Sequence, residues 1–322
     1  MQSFIQSANL FGSQKKPFFF LIDFELKKPI IFSLDENQKN IYFDILGKKN
    51  TENITPIHKA FELNSESISL EKYQTAFSLV KQEIQAGNSY LLNLTVPTKI
   101  HSSYSLEEIF FASKAKYKLL FKDNFVCFSP ECFVRIQHNK IYSYPMKGTI
   151  NANVENAEQT LLNSPKEFTE HNTIVDLIRN DLALVAKNIE VTKYRYVEKV
   201  DTHRGAIFQT SSEICGELED NWQKNIGTIL AKLLPAGSIS GAPKVKTVEI
   251  IQKAEQQERS YYTGIFGYFD GENLESAVAI RYIEQQDHQL IFRSGGGITA
   301  LSDINDEYNE ILEKVYVPIS TL

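Results

Sequence analysis

The sequence predicts an α+β fold in which large antiparallel β-sheets are flanked by helices. Segments rich in aromatic and β-branched residues, typical of strands, outnumber the segments with helical spacing and often follow one another directly. The chain has 322 residues, of which 42% are hydrophobic and 23% are charged. This composition is typical of a globular protein with a substantial core, rather than of a disordered or fibrous chain.

The N-terminal part predicts short strands between residues 17 and 46, followed by a polar stretch at 47–69 that predicts a boundary. We therefore divide the chain into a β-rich segment, 1–69, and a main domain, 70–322, within the same globule. From Leu70 the apolar spacing is helical, and Gly87 predicts the end of that helix.

The main domain alternates further strands with a few helices. A long helix is predicted at 166–187, where Ile174, Ile178, Leu182 and Val185 form an apolar stripe behind Pro165. Other helices are predicted at 223–234, 243–257 and 306–316. Strands are predicted at 89–100, 124–136, 140–146, 190–197, 206–218, 263–270, 275–284 and 288–294.

Charge and composition exclude several classes of function. The net charge is −6 and the basic residues are scattered, so a surface for nucleic acid is not expected. No apolar run reaches the roughly 20 residues that span a bilayer, and the start lacks a signal-peptide pattern. The three cysteines have no CxxC spacing. We expect a cytoplasmic protein with reduced thiols, acting on a small anionic molecule.

Two glycine-rich segments are candidate ligand loops. The segment 237–244, Gly-Ser-Ile-Ser-Gly-Ala-Pro-Lys, precedes a predicted helix whose amides and dipole would suit a carboxylate, although a plain tight turn has the same pattern. The run Gly295, Gly296 and Gly297 follows an apolar stretch and predicts a bulge or a ligand loop. Arg281 is either a carboxylate ligand from the neighbouring strand or a surface residue.

Carboxylates and a lysine are the remaining candidates. Glu170 shares the buried face of the long helix, and Glu307, Glu310 and Lys314 share one face of the last helix. Carboxylates from two helices could bind Mg²⁺, while solvated ion pairs are the alternative. Lys147 beside a glycine could be a nucleophile, or a surface lysine in a turn.

These segments, in this order, resemble the chorismate-utilising enzymes, a family with two orthogonally packed antiparallel sheets and outer helices. The resemblance runs from about Leu70 to Lys314, so it makes 70–322 the chorismate-binding catalytic domain. The motifs that carry it are SPE (129–131), PMKGT (145–149), KEFTEH (166–171), IVDLIRNDL (174–182), GSISGAPK (237–244), YYTGIFGY (261–268), AIRYI (279–283), SGGGI (294–298) and DEYNEILEK (306–314).

The resemblance implies a role for each matching residue. Glu170 and Glu310 would bind Mg²⁺, which would bridge to the ring carboxylate of chorismate. The amides of Gly241 and Ala242 and the ammonium of Lys244 would hold that carboxylate too. The other implied substrate contacts come from Thr149 and, at the enolpyruvyl carboxylate, from Tyr262, Arg281, Gly295, Gly296 and Gly297.

Two positions imply which reaction is carried out. Relatives that add water to chorismate have a lysine where this chain has Leu91, which cannot transfer a proton. Anthranilate synthases have alanine where this chain has Lys147, the residue typical of aminodeoxychorismate synthases. The resemblance therefore implies amination of chorismate, with Lys147 attacking the ring and Glu131 as the general acid or base.

Departures from the family pattern keep two alternatives open. Gln209 stands where relatives often have histidine, with His203 too far upstream, and Cys132 replaces the common arginine after SPE. An anthranilate synthase large subunit and a non-catalytic chorismate-binding subunit are the alternatives. No cysteine lies in a glutaminase-type Gly-x-Cys-x-Gly elbow, so a separate glutamine amidotransferase subunit is expected to supply ammonia. No segment resembling a tryptophan-binding LLES site is found.

Overall fold

A computed structural model describes residues 1–36, 38–51, 59–202 and 205–319. Its helices are α1 (Gln2–Ser13), α2 (Leu70–Gln85), α3 (Leu106–Ala112), α4 (Ala157–Asn163), α5 (Pro165–Ala183), α6 (Ile226–Leu233), α7 (Gly237–Ser240), α8 (Lys244–Glu255) and α9 (Ile304–Glu313). Its strands are β1 (Phe18–Ile22), β2 (Ile30–Ser33), β3 (Ile41–Ile45), β4 (Lys48–Lys49), β5 (Leu63–Glu66), β6 (Leu91–Ser102), β7 (Tyr117–Phe121), β8 (Phe125–Ser129), β9 (Cys132–Gln137), β10 (Lys140–Ser143), β11 (Met146–Asn151), β12 (Lys187–Thr202), β13 (Gly205–Glu217), β14 (Gly241–Ala242), β15 (Ile265–Phe269), β16 (Leu274–Val278), β17 (Tyr282–Gln286) and β18 (Gln289–Thr299).

Within the described residues, the strands form two antiparallel sheets of nine strands each, which confirms the predicted α+β class. The first sheet has the order β11-β13-β10-β9-β16-β15-β1-β2, with β12 paired to β13. The second has the order β14-β6-β18-β17-β8-β7-β3-β4, with β5 paired to β6. No helix of the described ranges is long and apolar enough to cross a membrane.

Strand β1 shows how the sheets and helices share one core. All of its side chains are buried, because successive residues of a strand point to opposite faces and both faces are covered. Phe18 and Phe20 pack in the cluster that includes residues of α5 and α6. Phe19 and Leu21 pack against second-sheet residues such as Phe43 and the other aromatic side chains between the two sheets.

Two segments predicted as single strands are each divided between the two sheets. Residues 124–136 form β8 in the second sheet and β9 in the first, and residues 275–284 form β16 in the first and β17 in the second. The two crossing points are neighbours, because Val278 N donates to Glu131 O at 3.1 Å and Phe128 N donates to Arg281 O at 3.1 Å. The expectation that Arg281 lies within a strand is therefore wrong: it lies between strands, at φ +52°.

Most predicted helices are confirmed within a few residues, including α2 before Gly87 and α5 beginning at Pro165. Val185, expected in the helical stripe, lies beyond the end of α5. Strand β7 and helices α1, α3 and α4 were not predicted. Helix α3 has a capping box of Ser105 and Glu108, a signal that the sequence offered. The expected boundary at 47–69 contains β4 and β5, and its residues 52–58 lie outside the described ranges.

Candidate functional site

Lys147 is the centre of the site, and the backbone of β11 places it there. The pairing of β11 with β13 has a register shift between Met146 and Thr149. Within it, Gly148 has φ +88°, and a Cβ there would lie 2.6 Å from Glu167 Oε2. Only glycine suits both the backbone angle and the neighbouring carboxylate. The Lys147 Nζ lies 2.9 Å from Glu170 Oε2 on α5.

Four carboxylates from two helices surround this ammonium. Helix α5 contributes Glu167 and Glu170, and α9 contributes Glu307 and Glu310. Burial and the nearby Glu170 charge raise the pKa of Glu167, and burial with the Glu310 charge raises the pKa of Glu307. Sequence reasoning gave Glu167 no site role and named Glu307 only as sharing a helix face with Glu310. Each lies three residues before an assigned ligand and therefore on the same helix face.

The carboxylates also control the charge on Lys147. Its side chain is 26% exposed and that of Glu170 is 13% exposed. Burial by itself would lower the pKa of Lys147, but Glu170, Glu310 and Glu167 outweigh it and raise that pKa above the ordinary lysine value. In this arrangement Lys147 is an ammonium ion held among anions.

Gly295, Gly296 and Gly297 lie in β18, where the lack of side chains lets polar groups approach the strand. Gly295 O accepts a hydrogen bond from Lys314 Nζ at 2.8 Å. A Cβ on Gly296 would lie 3.1 Å from Glu307 Oε2, and one on Gly297 would lie 3.4 Å from Lys147 Nζ. The run lies in strand β18 and pairs in unbroken register with β6, so the expected bulge is wrong, while contact with a ligand stays a prediction. Close approach, rather than positive φ, is what these positions require.

Leu91, the residue expected at the position of a water-activating lysine, lies beside Gly297. Its Cδ1 would lie 3.1 Å from a Cβ on Gly297, the position that also faces Lys147 Nζ. Leu91 is buried, at 7% exposure. The lysine that faces Gly297 is therefore Lys147, while strand β6 contributes the apolar side chain of Leu91 there.

The carboxylates fit Mg²⁺ in donor chemistry. Mg²⁺ prefers oxygen ligands, and it usually takes one or two from the protein and the rest from water and substrate. Glu170 and Glu310 offer such oxygens, at present paired with Lys147 and with Lys314 at 2.9 and 2.6 Å. Within the described part of the chain, no three Asp, Glu, His or Cys side chains form a complete metal cage. Any Mg²⁺ held here would need oxygens from outside the protein.

Glu131 and Arg281 stand at the two neighbouring crossings between the sheets. Ser238 Oγ donates a hydrogen bond to Glu131 Oε1 at 2.5 Å. Burial raises the pKa of the Glu131 carboxyl, while the Ser238 hydrogen bond and the Arg281 charge oppose that rise. Among the described residues, Arg281 forms no ion pair and its buried Nε has no hydrogen-bond partner. The guanidinium is partly buried and lies over the Tyr316 ring, with its centre 5.2 Å from the ring centroid. A planar guanidinium with a free donor is suited to bind a carboxylate.

Tyr262 lies beside this guanidinium and is almost completely buried. Burial raises the pKa of its phenol to about 12, while Arg281 acts in the opposite direction. Its ring centroid is 5.6 Å from that of Tyr282, the first residue of β17. Tyr262 and Arg281 are therefore close enough to interact electrostatically, and their role in a carboxylate pocket stays a prediction.

The segment 237–244 forms a short helix and a two-residue strand rather than an open loop. Gly241 and Ala242 pair with Leu92 and Leu91 at the edge of the second sheet. Gly241 has φ +111°, and a Cβ there would lie 1.8 Å from Leu91 O. Lys244 does not point toward Lys147: its Nζ lies 2.9 Å from Asp181 Oδ1 and 2.8 Å from Leu233 O. Lys244 is thus the assigned residue that the structure places in a separate ion pair.

The departures from the family pattern have structural partners. Gln209 lies across from the exposed Thr149, and its amide contacts Met146 Sδ at 2.8 Å. His171 Nε2 lies 2.7 Å from Ser212 Oγ, and burial lowers the pKa of that imidazole to about 4. His203 lies outside the described residues. Cys132 Sγ lies 3.7 Å from Glu275 Oε1.

Comparison with known proteins agrees with the fold. A model of the family described as chorismate binding enzyme matches residues 14–320. An uncharacterised PabA-like protein of Pasteurella multocida is 61% identical over 321 residues, covering 99% of each chain. Aminodeoxychorismate synthase component 1 of Escherichia coli is 31% identical over 267 residues, covering 77% of this chain and 57% of that protein.

The solved structures support the same assignment at the level of the fold. The putative isochorismate synthase DhbC of Bacillus anthracis superposes with a TM-score of 0.72 at 21% identity, covering 97% of this chain and 86% of that one. With the family match spanning residues 14–320, the chain belongs to the chorismate binding enzyme family.

Proposed function

We propose that this protein converts chorismate and ammonia to 4-amino-4-deoxychorismate, the product that leads to para-aminobenzoate and folate. The observation that carries the proposal is the position of Lys147, whose Nζ lies 2.9 Å from Glu170 and faces Gly297. Leu91 beside it cannot activate water, which disfavours hydration of the ring.

The proposed reaction has two steps that balance. The neutral amine of Lys147 bonds to ring carbon C2, the double bonds shift, and the C4 hydroxyl leaves as water with a proton from Glu131. Ammonia then bonds to C4, the reverse shift releases the Lys147 amine, and the surplus proton of the new C4 ammonium returns to Glu131. The net change is chorismate plus ammonia to aminodeoxychorismate plus water.

The remaining residues hold the substrate and move the proton. Arg281 and Tyr262 would hold the enolpyruvyl carboxylate, a role supported by the buried Arg281 Nε, which has no hydrogen-bond partner among the described residues. Glu131, whose pKa is raised by burial, would carry the proton to the departing hydroxyl. Glu170 and Glu310, with Glu167 and Glu307 behind them, would hold Mg²⁺. When bound, Mg²⁺ would supply positive charge to the ring carboxylate and would favour a lower pKa for Lys147.

Ammonia would come from a separate glutamine amidotransferase subunit. Burial raises the pKa of all three cysteine thiols, which disfavours the thiolate that a glutaminase nucleophile requires.

The decisive experiment incubates the purified chain with chorismate, Mg²⁺ and ammonium at alkaline pH and identifies the products by mass. We expect aminodeoxychorismate with ammonium and none with glutamine alone. Release of pyruvate and fluorescent anthranilate would instead assign the anthranilate synthase reaction. Binding of chorismate without any turnover would assign the non-catalytic role.

A further inference from the structure

The short helix α7, which contacts Glu131, is also in contact with the ion pair between Asp181 and Lys244. Ser238, the donor to Glu131, belongs to α7, a helix of only four residues. So short a helix has almost no internal hydrogen bonding to fix it. Its orientation must therefore come from contacts with the rest of the molecule.

Asp181, near the end of α5, provides those contacts. Its carboxylate accepts a hydrogen bond from the Gly237 amide, at the first residue of α7. A Cβ on Gly237 would lie 2.5 Å from Asp181 Oδ2, so the carboxylate sits directly against the backbone. The same carboxylate pairs with Lys244 at 2.9 Å, just after the segment that contains α7. Asp181 thus holds both ends of the segment 237–244.

Lys244 completes the arrangement on the other side. Its Nζ also donates to Leu233 O at 2.8 Å, at the last residue of α6. The Asp181 and Lys244 side chains are 12% and 18% exposed, so water competes little for either charge. Asp181, Gly237, Ser238 and Glu131 line one cavity, which places the Asp181 and Glu131 side chains around the same space.

We propose that Asp181 is a positioning residue for Glu131: by binding Lys244 and the Gly237 amide, it fixes α7 so that Ser238 donates to Glu131 Oε1. This rests on the proposed role of Glu131 in proton transfer. With one oxygen bound by Ser238, the other oxygen of Glu131 is left to carry the proton. Lys244 then acts through Asp181 on Glu131, and not through contact with the substrate carboxylate.

The test is a double-mutant cycle of Asp181→Asn and Ser238→Ala, with Asp176→Asn as the matched control. Asp176 lies on the same helix, is exposed and pairs with Arg179. We expect each variant of the cycle to lose about tenfold in kcat with KM for chorismate nearly unchanged, and the double variant to lose no more than the larger single effect. Multiplicative losses would overturn the proposal.

Lys244→Met separates positioning from substrate binding. A positioning role lowers kcat, as in Asp181→Asn, whereas direct contact with the ring carboxylate would raise KM and leave kcat close to that of the parent. The second result would overturn the positioning role of Lys244 and Asp181. The tether from Arg259 Nη1 to Ile239 O at 3.2 Å remains in these variants, so α7 is loosened rather than unfolded.

The pH dependence of kcat would not change if Asp181 had a purely structural role, so it tests the proposed link to Glu131. Ser238 and Arg281 are the groups that lower the pKa of Glu131, and the titratable side chains of Cys132, Tyr144 and Asp181 line the same cavity. If Ser238 is lost or displaced, the pKa of Glu131 rises further, so a proton donor remains protonated to higher pH and the alkaline limb of kcat shifts upward. We expect the same shift in Ser238→Ala and Asp181→Asn. An unshifted limb in Asp181→Asn would overturn the link.

A crystal structure of Asp181→Asn tests positioning without reference to turnover. We expect the Ser238 Oγ to Glu131 Oε1 contact, 2.5 Å in the parent chain, to be lost in Asp181→Asn and kept in Asp176→Asn. A retained contact in Asp181→Asn would overturn the positioning role even if the enzyme is active. If the parent protein gives no aminodeoxychorismate, the proposed function fails, while this comparison still decides what Asp181 does.

Discussion

Helix α5 carries two carboxylates that bind lysines at the same distance, yet the two ion pairs differ in their surroundings. The Lys147–Glu170 and Lys244–Asp181 pairs both measure 2.9 Å. Burial would lower the pKa of each lysine, but the additional carboxylates around Lys147 raise its pKa instead. Lys244 is paired with one carboxylate, that of Asp181. Its effect is smaller than that of burial, so the pKa of Lys244 is lowered.

This difference separates an open site from a closed one. Around Lys147, four carboxylates outnumber the ammonium groups of Lys147 and Lys314, so another cation is favoured there. Around Lys244, one carboxylate and a backbone carbonyl satisfy one ammonium. The first arrangement is suited to chemistry and metal binding, and the second to holding the backbone in place.

The largest expected effect is that of Lys147→Ala. It removes the proposed nucleophile, so the rate of aminodeoxychorismate formation should fall at least about 100-fold, the lower end for a positioned catalytic group. With ammonia withheld, intact-mass measurement should detect a protein–substrate adduct in the parent, mapping to Lys147, and none in the variant. Lys246→Ala, an exposed lysine of α8, is the control. An unaltered rate in Lys147→Ala would exclude the nucleophile role.

Glu310→Gln should weaken the response to Mg²⁺ while leaving the fold intact. A neutral amide oxygen replaces a charged ligand, so activity at limiting Mg²⁺ should fall by roughly tenfold or more, as is common for removal of a group that holds a metal in place. A titration of activity against Mg²⁺ measures this. Glu313→Gln, exposed on the same helix, should behave as the parent. Parent-like activity of Glu310→Gln at low Mg²⁺ would contradict the assignment.

The Lys244–Asp181 ion pair should contribute to the free energy of unfolding. Asp181→Asn leaves the Lys244 charge without its anion, and we expect the free energy of unfolding to fall by about 2 kcal/mol, less than for a fully buried pair. The double variant with Lys244→Met should recover at least half of that loss, because no uncompensated charge remains. Urea denaturation measures both. Equal losses in the single and double variants would show that the charges do not depend on each other.

The smallest expected effect concerns competition at Glu170. Because the Lys147 ammonium occupies one Glu170 oxygen, Lys147→Ala should tighten Mg²⁺ binding about fivefold, or roughly 1 kcal/mol, the upper range for a partly exposed ion pair. Calorimetric titration without chorismate measures it, with Lys246→Ala as the control. Unchanged or weaker Mg²⁺ binding would mean that Lys147 and the metal do not share Glu170, and the contrast between the two pairs would lose its basis.

The residues of the site could be identified from sequence to different degrees. Glu170 was found because it lies four residues before Ile174 on the buried face of α5, and helical spacing is a local property. Glu167 carried a similar three-residue signal that was not used, and Glu307 was recognised only as a neighbour of Glu310. Ser238 and Asp181 had no comparable local signal. The contact of Ser238 is with Glu131, 107 residues away along the chain, and the role of Asp181 depends on its ion pair with Lys244.

The sequence by itself determined the fold class, the family resemblance and the residue types available for chemistry. These follow from local periodicity and from motifs, both of which depend on residues close together along the chain. The tertiary structure alone decided that β8 and β9, like β16 and β17, belong to different sheets, which sets Glu131 beside Arg281. It also decided which carboxylate each lysine binds. Strand pairing and ion pairing join residues distant along the chain, so their partners are selected by packing and burial of the whole molecule rather than by local sequence.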